Sequence, residues 1–448
     1  MISNFMNGVD CRTDPFNKHP ADISLRVYSG ASFVPLAASF AKCAGEAYGF
    51  GGQELSSLEL SAEEVFAWLC RLLGPAEPVE ICARNDIYRL TLRFLFQPSP
   101  LNLRVLNLTA KAPHEPGEDL EDLGLFVMVR LVDAVKLTSE KDGRTCLAIV
   151  VDRRYTEETA AISGQPMPVK TWRIQPADRE SIQFFAARVK AHYPAGEYPG
   201  FLDFPGRAAD MIAAGDLKGA MAVAESGAVC GGILWRWVSH KMIEMLGPFS
   251  FPPTQPPALP EALMEHMLEW AAKTPATGIL CRRRAGQPMP MGFDLLGGVC
   301  GRPTGQPADE SCGFRQLRED EGSAVCCHPL LASFLRGEYD RLALPRELRV
   351  IPFQGTGQPE STVLTAETDR GRREVLLKGL CFGPDAAEQL REHLGLFAKQ
   401  DLSTILFELD LGISWQSAFV PALLETGFVP RMILPGSGQG DTVIFQKA

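Results

Sequence analysis

Cysteine and histidine stand side by side at Cys326-Cys327-His328, residue types that zinc selects. Adjacent residues of a strand point to opposite faces, however, and no second ligand pair follows at zinc spacing. The twelve cysteines form no CxxC pair, and most lie in apolar runs where a free thiol acts as a small hydrophobe. They read as reduced thiols, and no metal site is expected. GSGQGD at 436–441 has the glycines that let backbone amides approach a phosphate. No helix follows it, so a hairpin turn is the expectation. Two carboxylates stand where acid–base chemistry could be done, Glu64 in the helical LELSAEEVFAWLCRLLG and Glu244 in the strand-like KMIEMLGPF. Each can equally be a solvated or paired side chain. Tyr193, Tyr198, Trp235 and Trp237 could line an apolar ligand pocket or simply fill core.

The elements that hold these residues must belong to about three domains, at roughly 150 residues each. The chain of 448 residues is 46% hydrophobic and 22% charged, an ordinary soluble composition. With 44 basic against 54 acidic side chains, a net charge of −10, and no Lys/Arg cluster, it is not built to grip nucleic acid. No run of about 18 apolar residues occurs, so no membrane span is expected. The polar first thirty residues do not read as a secretory signal, and a cytoplasmic location is the expectation.

Composition divides the chain into a tail (1–22), a first domain (23–152), a linker (153–168), a second domain (169–322) and a third (323–448). The pattern is α+β throughout. The first domain reads as two or three helices, SGASFVPLAASFAKCAGEAYGF, LELSAEEVFAWLCRLLG and DLGLFVMVRLVDAV, over an antiparallel sheet with a hairpin at Asp142-Gly143. The second runs strand, two helices, three strands, helix PEALMEHMLEWAAKT and strand GILCRR. The third ends strand REVLLKGLCF, helix DAAEQLREHLGLFAKQ, strand STILFELDL, helix SWQSAFVPALLETG and two closing strands. The shared rhythm suggests two related modules.

Over residues 25 to 152 the pattern resembles the anti-sigma-factor serine kinases of the GHKL (Bergerat-fold) ATPases, an α/β sandwich. That resemblance implies Glu and, four residues on, Asn on one helical face, for polarising a hydroxyl and holding Mg²⁺. Glu64 occupies the first position, but Trp68 stands in the second, and an indole has no oxygen for a hard cation. The adenine-reading Asp-x-Gly is replaced by Phe96-Gln97-Pro98, and the glycine loop by Glu121-Asp122-Leu123-Gly124. Gly124 alone survives of the nucleotide loop, and two carboxylates would face the triphosphate.

The second and third domains resemble GNAT acyltransferase-like modules, as in bacterial proteins that fuse them to an anti-sigma-type ATPase domain. IQPADRESIQFFAARVKAHYPAGEYPG and the tail LLETGF followed by a strand carry that resemblance. It implies a glycine-rich turn before a helix, whose amides bind the coenzyme A pyrophosphate. Here Pro252-Pro253-Thr254-Gln255-Pro256-Pro257 precedes one helix and Cys381-Phe382-Gly383-Pro384 the other. Proline offers no amide hydrogen. Glu244 lies where such enzymes often carry a general base.

ATP/Mg²⁺ and acetyl-CoA are thus implied by resemblance, but the motifs are lost and no cofactor is expected. The leading expectation is a non-catalytic regulatory protein, a pseudoenzyme, in bacterial partner-switching signalling. Its partner would be a sigma factor or a STAS-type antagonist, with a small-molecule ligand and homodimerisation through residues 1–152 also in view. The alternatives are an N-acyltransferase with an atypical acyl-CoA site, an active ATP-binding anti-sigma kinase, and a sensor with its pocket between the two GNAT-like modules. Residues 169–448 are expected to fold as a separate unit.

Overall fold

The computed structural model describes residues 23–97, 103–110, 123–156, 171–251, 258–284, 287–300, 310–351, 359–369, 372–400 and 402–448. The tail, Pro98, the Glu121-Asp122 pair, residues 157–168 of the linker and the proline loop 252–257 lie outside the described residues.

In the first unit the side chains alternate along each strand. Val79, Ile81 and Ala83 of β2 (Pro78–Asn85) and Leu90, Leu92 and Phe94 of β3 (Arg89–Phe96) turn inward. With β1 (Ile23–Tyr28), β4 (Ala134–Ser139) and β5 (Thr145–Asp152) they form an antiparallel sheet in the order β1-β2-β3-β5-β4. Helices α1 (Val34–Ala47), α2 (Gly52–Leu72) and α3 (Leu123–Leu131) bury their apolar faces in the same core. The third helix stops at Leu131, short of the expected Val135. Ala134 and Val135 instead pair with Val150 and Ile149. The β4–β5 hairpin turns at Gly143, whose φ of +86° suits glycine.

The second unit has strands β6 (Trp172–Pro176), β7 (Lys218–Ala224), β8 (Val229–Trp237), β9 (Met242–Ser250), β10 (Gly278–Arg284), β11 (Asp294–Val299) and β12 (Glu310–Gln316). They form one sheet in the order β11-β12-β10-β9-β8-β7-β6. Strands β9 and β10 are parallel and joined by α6 (Leu259–Ala272). Helix α4 (Arg179–His192) starts at a capping box between Asp178 and Ser181, and α5 (Pro205–Ala214) ends at left-handed Gly215. Strands β11 and β12 lie beyond the elements expected from the sequence. Gly297 and Gly298 interrupt the alternation of β11 and blank its signal.

The third unit opens with β13 (Ser323–Cys327), α7 (Ala332–Leu342) and β14 (Arg346–Val350), the two strands lying parallel. Then come β15 (Val363–Asp369), β16 (Glu374–Cys381), α8 (Ala386–Lys399), β17 (Thr404–Asp410), α9 (Phe419–Glu425), β18 (Phe428–Leu434) and β19 (Thr442–Lys447). Their sheet order, β15-β16-β17-β19-β18, repeats β8-β9-β10-β12-β11 of the second unit, including the single parallel pair bridged by a helix. The two units therefore share a five-stranded topology. Among the described residues no helix is long and apolar enough to cross a membrane.

The cores do not respect the boundaries read from composition. Tyr88, at the β2–β3 turn, is buried in the core of the second unit and donates to Asp216 Oδ2 at 2.6 Å. Asn107 mimics a strand partner for the third unit: its amide donates to Thr362 O at 2.8 Å and its carbonyl accepts from Leu364 N at 2.9 Å. Val363 and Cys381 belong to the first unit's core, and Leu280, Cys312 and Phe314 to the third's. Arg153, at the start of the presumed linker, bonds Tyr88 and Gly49. Residues 169–448 thus pack against the first unit through shared cores.

Candidate functional site

Where the repeated sheets face each other and the β2–β3 turn closes one end, they enclose a cavity of about 420 Å³. The second unit contributes Arg236 and Trp237 of β8, Glu244 and Leu246 of β9 and Leu280 and Arg282 of β10. The third contributes Glu367 and Asp369 of β15, Glu374, Leu376 and Lys378 of β16, Glu408 of β17 and Arg372. Tyr88 and Arg89 come from the first unit, and Asp216 from the end of α5. Alternation explains most of the set, since residues two apart share a face. Trp237 reaches the cavity only from the end of β8, its ring centroid lying 6.3 Å from that of Trp270 on the opposite face from Arg236.

Charges line the walls in layers. Arg236 donates from Nε and Nη2 to the same Glu244 oxygen at 2.7 Å. Arg282 stands 3.6 Å from Glu244, 3.7 Å from Glu310 and 3.8 Å from Glu374, ion-pair distances but none of them a hydrogen bond. The acids lie beneath, with 9% of the Glu244 side chain exposed, whereas 41% of Arg236 and 36% of Arg282 open outward. Arg372 reaches Glu310 at 3.4 Å, and Lys378 lies 3.3 Å from Glu408 and 3.5 Å from Glu367. Burial alone would raise the Glu244 carboxyl, but Arg236 and Arg282 hold it below its ordinary value. Glu374 goes the other way, pushed up by burial and by Glu310 beyond what Arg282 recovers.

Of the residues singled out in the sequence, Glu244 and Trp237 line this cavity. Tyr193 does not; its hydroxyl exchanges hydrogen bonds with the backbone of Ser250. Tyr198 is buried and donates to Asp203, and Trp235 packs against Trp270 with ring centroids 5.1 Å apart, on the other side of the sheet. These three are core. Arg236, Arg282, Arg372 and Glu374 were missed, although charges at inward-facing strand positions were there to be read in GILCRR and REVLLKGLCF.

The implied nucleotide site of the first unit is filled by its own side chains. Trp68 and Phe96 are buried edge to face, centroids 6.4 Å apart. Glu64 lies against the first turn of α3, so close to Gly124 that a Cβ there would overlap its carboxylate. The helix dipole favours that placement of a negative charge. In the third unit the amide of Gly383 donates to Thr362 Oγ1 at 2.8 Å, and a Cβ on Gly383 would come 2.5 Å from the Ser361 carbonyl carbon. A phosphate has no room there. The GSGQGD segment joins β18 to β19, and the amides of Gln439 and Gly440 donate to Asp410 at 2.7 and 3.0 Å. Its cradle holds the chain's own carboxylate. Cys326 and Cys327 lie on β13, and His328 Nδ1 accepts from Leu330 N. Among the described residues no group of three or more metal-binding side chains is close enough to hold an ion.

No protein-family model and no curated protein matches the sequence. Solved structures do match part of it. One is a GNAT-family N-acetyltransferase from Escherichia coli in complex with CoA, 13% identical over 35% of this chain and 85% of its own, with a TM-score of 0.27. Another is a GNAT-superfamily phosphinothricin acetyltransferase from Sinorhizobium meliloti in complex with AcCoA, 16% identical over 33% and 89%, TM-score 0.27. A third is a dodecameric spermidine N-acetyltransferase from Vibrio cholerae, 11% identical over 33% and 94%, TM-score 0.27.

Proposed function

We propose that this chain is a non-catalytic regulatory protein that senses a small polar molecule in the cavity where its three units meet. The observation that carries the reading is the cavity itself, about 420 Å³ with walls from all three units. Ligand pockets usually run from about 300 to 1,000 Å³. Tyr88 and Arg89 tie the cavity to β3, so a ligand that orders the turn acts directly on the first sheet.

The filled sites support a binding role over a catalytic one. ATP with Mg²⁺ meets Trp68 and Phe96, and acetyl-CoA meets a Gly383 amide already bonded to Thr362. In this reading the first unit is an anti-sigma kinase-like fold that contacts a protein, by resemblance a sigma factor or STAS-type antagonist. Self-association through that unit and a cytoplasmic location belong to the same proposal. The acyltransferase alternative has Glu244 in its favour, on a wall of the cavity. That carboxylate is already committed to Arg236, which weakens it as a base.

A thermal-shift screen with a library of polar metabolites tests the reading, followed by hydrogen exchange of residues 84–91 with any hit. Stabilisation with slowed exchange in the turn supports it. A library without a stabilising compound, or a hit that leaves the turn unchanged, overturns it.

A further inference from the structure

The carboxylates on the cavity's walls already have partners within the chain. Glu244 holds Arg236, Glu367 and Glu408 flank Lys378, Asp369 lies 3.7 Å from Arg372, and Asp216 accepts from Tyr88. Glu374 stands 3.8 Å from Arg282, and Arg89 lies 3.7 Å from Asp152. An anion approaching one of these cations meets the carboxylate already beside it, and a cation approaching one of the acids meets the cation already there. The walls therefore favour a neutral molecule.

At Arg282 and Glu374 the charges are paired but the hydrogen bonds are not made. The Arg282 guanidinium has five N–H donors, and Glu244, Glu310 and Glu374 stand beyond hydrogen-bond distance at 3.6, 3.7 and 3.8 Å. Among the described residues Arg282 is the one ion-pair partner of Glu374, so that carboxylate accepts no hydrogen bond from a side chain either. An unspent donor set and an unspent acceptor thus lie side by side on the cavity wall. A hydroxyl serves both, since it donates one hydrogen and accepts through its lone pairs. A second pocket of about 20 Å³, lined by Arg282, Glu310 and Ser311, has room for one hydroxyl or water. Leu376, between Glu374 and Lys378 on β16, offers apolar surface to carbon-bound hydrogens together with Leu280 and Leu434.

Resting on the sensor reading above, we propose that the ligand is a small neutral polyol of the sugar class. One hydroxyl accepts from Arg282, a neighbouring hydroxyl donates to Glu374, and the carbon frame lies on Leu376.

The test uses the full chain. Glucose, galactose, mannose and their alditols are titrated by calorimetry at millimolar concentration, below the range in which polyols stabilise proteins in general. The best binder is compared with its carboxylate and amino counterparts, which put one negative or one positive charge on the same frame. The neutral form should bind at least about tenfold more tightly than either. Arg282→Met and Glu374→Met should each weaken it by about tenfold, the size of one hydrogen bond to a charged group. Circular dichroism melts confirm that each variant is folded. Where one is not, deoxy analogues on the wild-type chain replace it, and at least one missing hydroxyl should cost the same factor. Equal or tighter binding of a charged counterpart, or affinity that the variants or deoxy analogues retain in full, overturns the polyol and leaves the sensor reading standing. If no sugar binds but another polar metabolite orders residues 84–91, the polyol falls alone; if nothing binds, both fall.

Discussion

The indole of Trp68 meets the ring of Phe96 at an interplanar angle of 87°, closing the space between α2 and the end of β3. By resemblance these are the positions of a metal-holding amide and an adenine-reading carboxylate. An apolar pair stands in both places, packed edge to face within the first unit's core.

That pair makes the first prediction. Trp68→Ala should cost about 3–5 kcal/mol in urea denaturation, the usual penalty for emptying a buried aromatic site. Millimolar Mg-ATP should leave the melting temperature of the wild type unchanged. A ligand at 100 times its dissociation constant would add about 2.7 kcal/mol, so a rise on adding Mg-ATP refutes the claim.

Acetyl-CoA should give no binding heat and release no thiol above background. The Gly383 amide is committed to Thr362 Oγ1 and backbone lies where a phosphate would have to be. Micromolar binding by calorimetry contradicts this. Thiol release that Glu244→Gln abolishes would make the chain an acyltransferase.

Tyr88 couples the first unit to the second. Its ring is in one core while its backbone belongs to the other sheet's turn. Tyr88→Ala should remove about 3–5 kcal/mol and split the calorimetric unfolding trace into two transitions. Tyr88→Phe, which keeps the ring and loses only the bond to Asp216, should cost about 1 kcal/mol and keep the trace whole. Two identical traces would show that the ring does not join the units.

The two carboxylates on Arg282 should titrate with opposite effects on stability. Glu244 sits below its ordinary value, so its contribution is complete above the unfolded value and is lost as pH falls through the folded one. Glu374 sits above, so its contribution is complete below the unfolded value and declines as pH rises through the folded one. Urea melts from about pH 3 to about pH 8 bracket both. The penalty of Glu244→Gln should shrink toward acid, and that of Glu374→Gln should shrink toward neutral pH. Slopes of the same sign in the two variants would refute the assignment.

The sequence by itself determined the elements whose patterns are local. Alternation in RLTLRFLF, helical spacing in LELSAEEVFAWLCRLLG and the Asp142-Gly143 turn need only near neighbours, and those elements appear where their residues indicate. The strands β11 to β15 escaped because glycine, charge and short length leave little periodicity. Glu244 and Trp237 were legible as unusual residues on strands, but not what they face. Tertiary structure alone decided that Arg282 of one sheet and Glu374 of another, 92 positions apart in the chain, line one cavity. It also decided that Tyr88 belongs to a neighbouring core. Strand order and sheet-to-sheet packing are long-range relations, and no local spacing of residues encodes them.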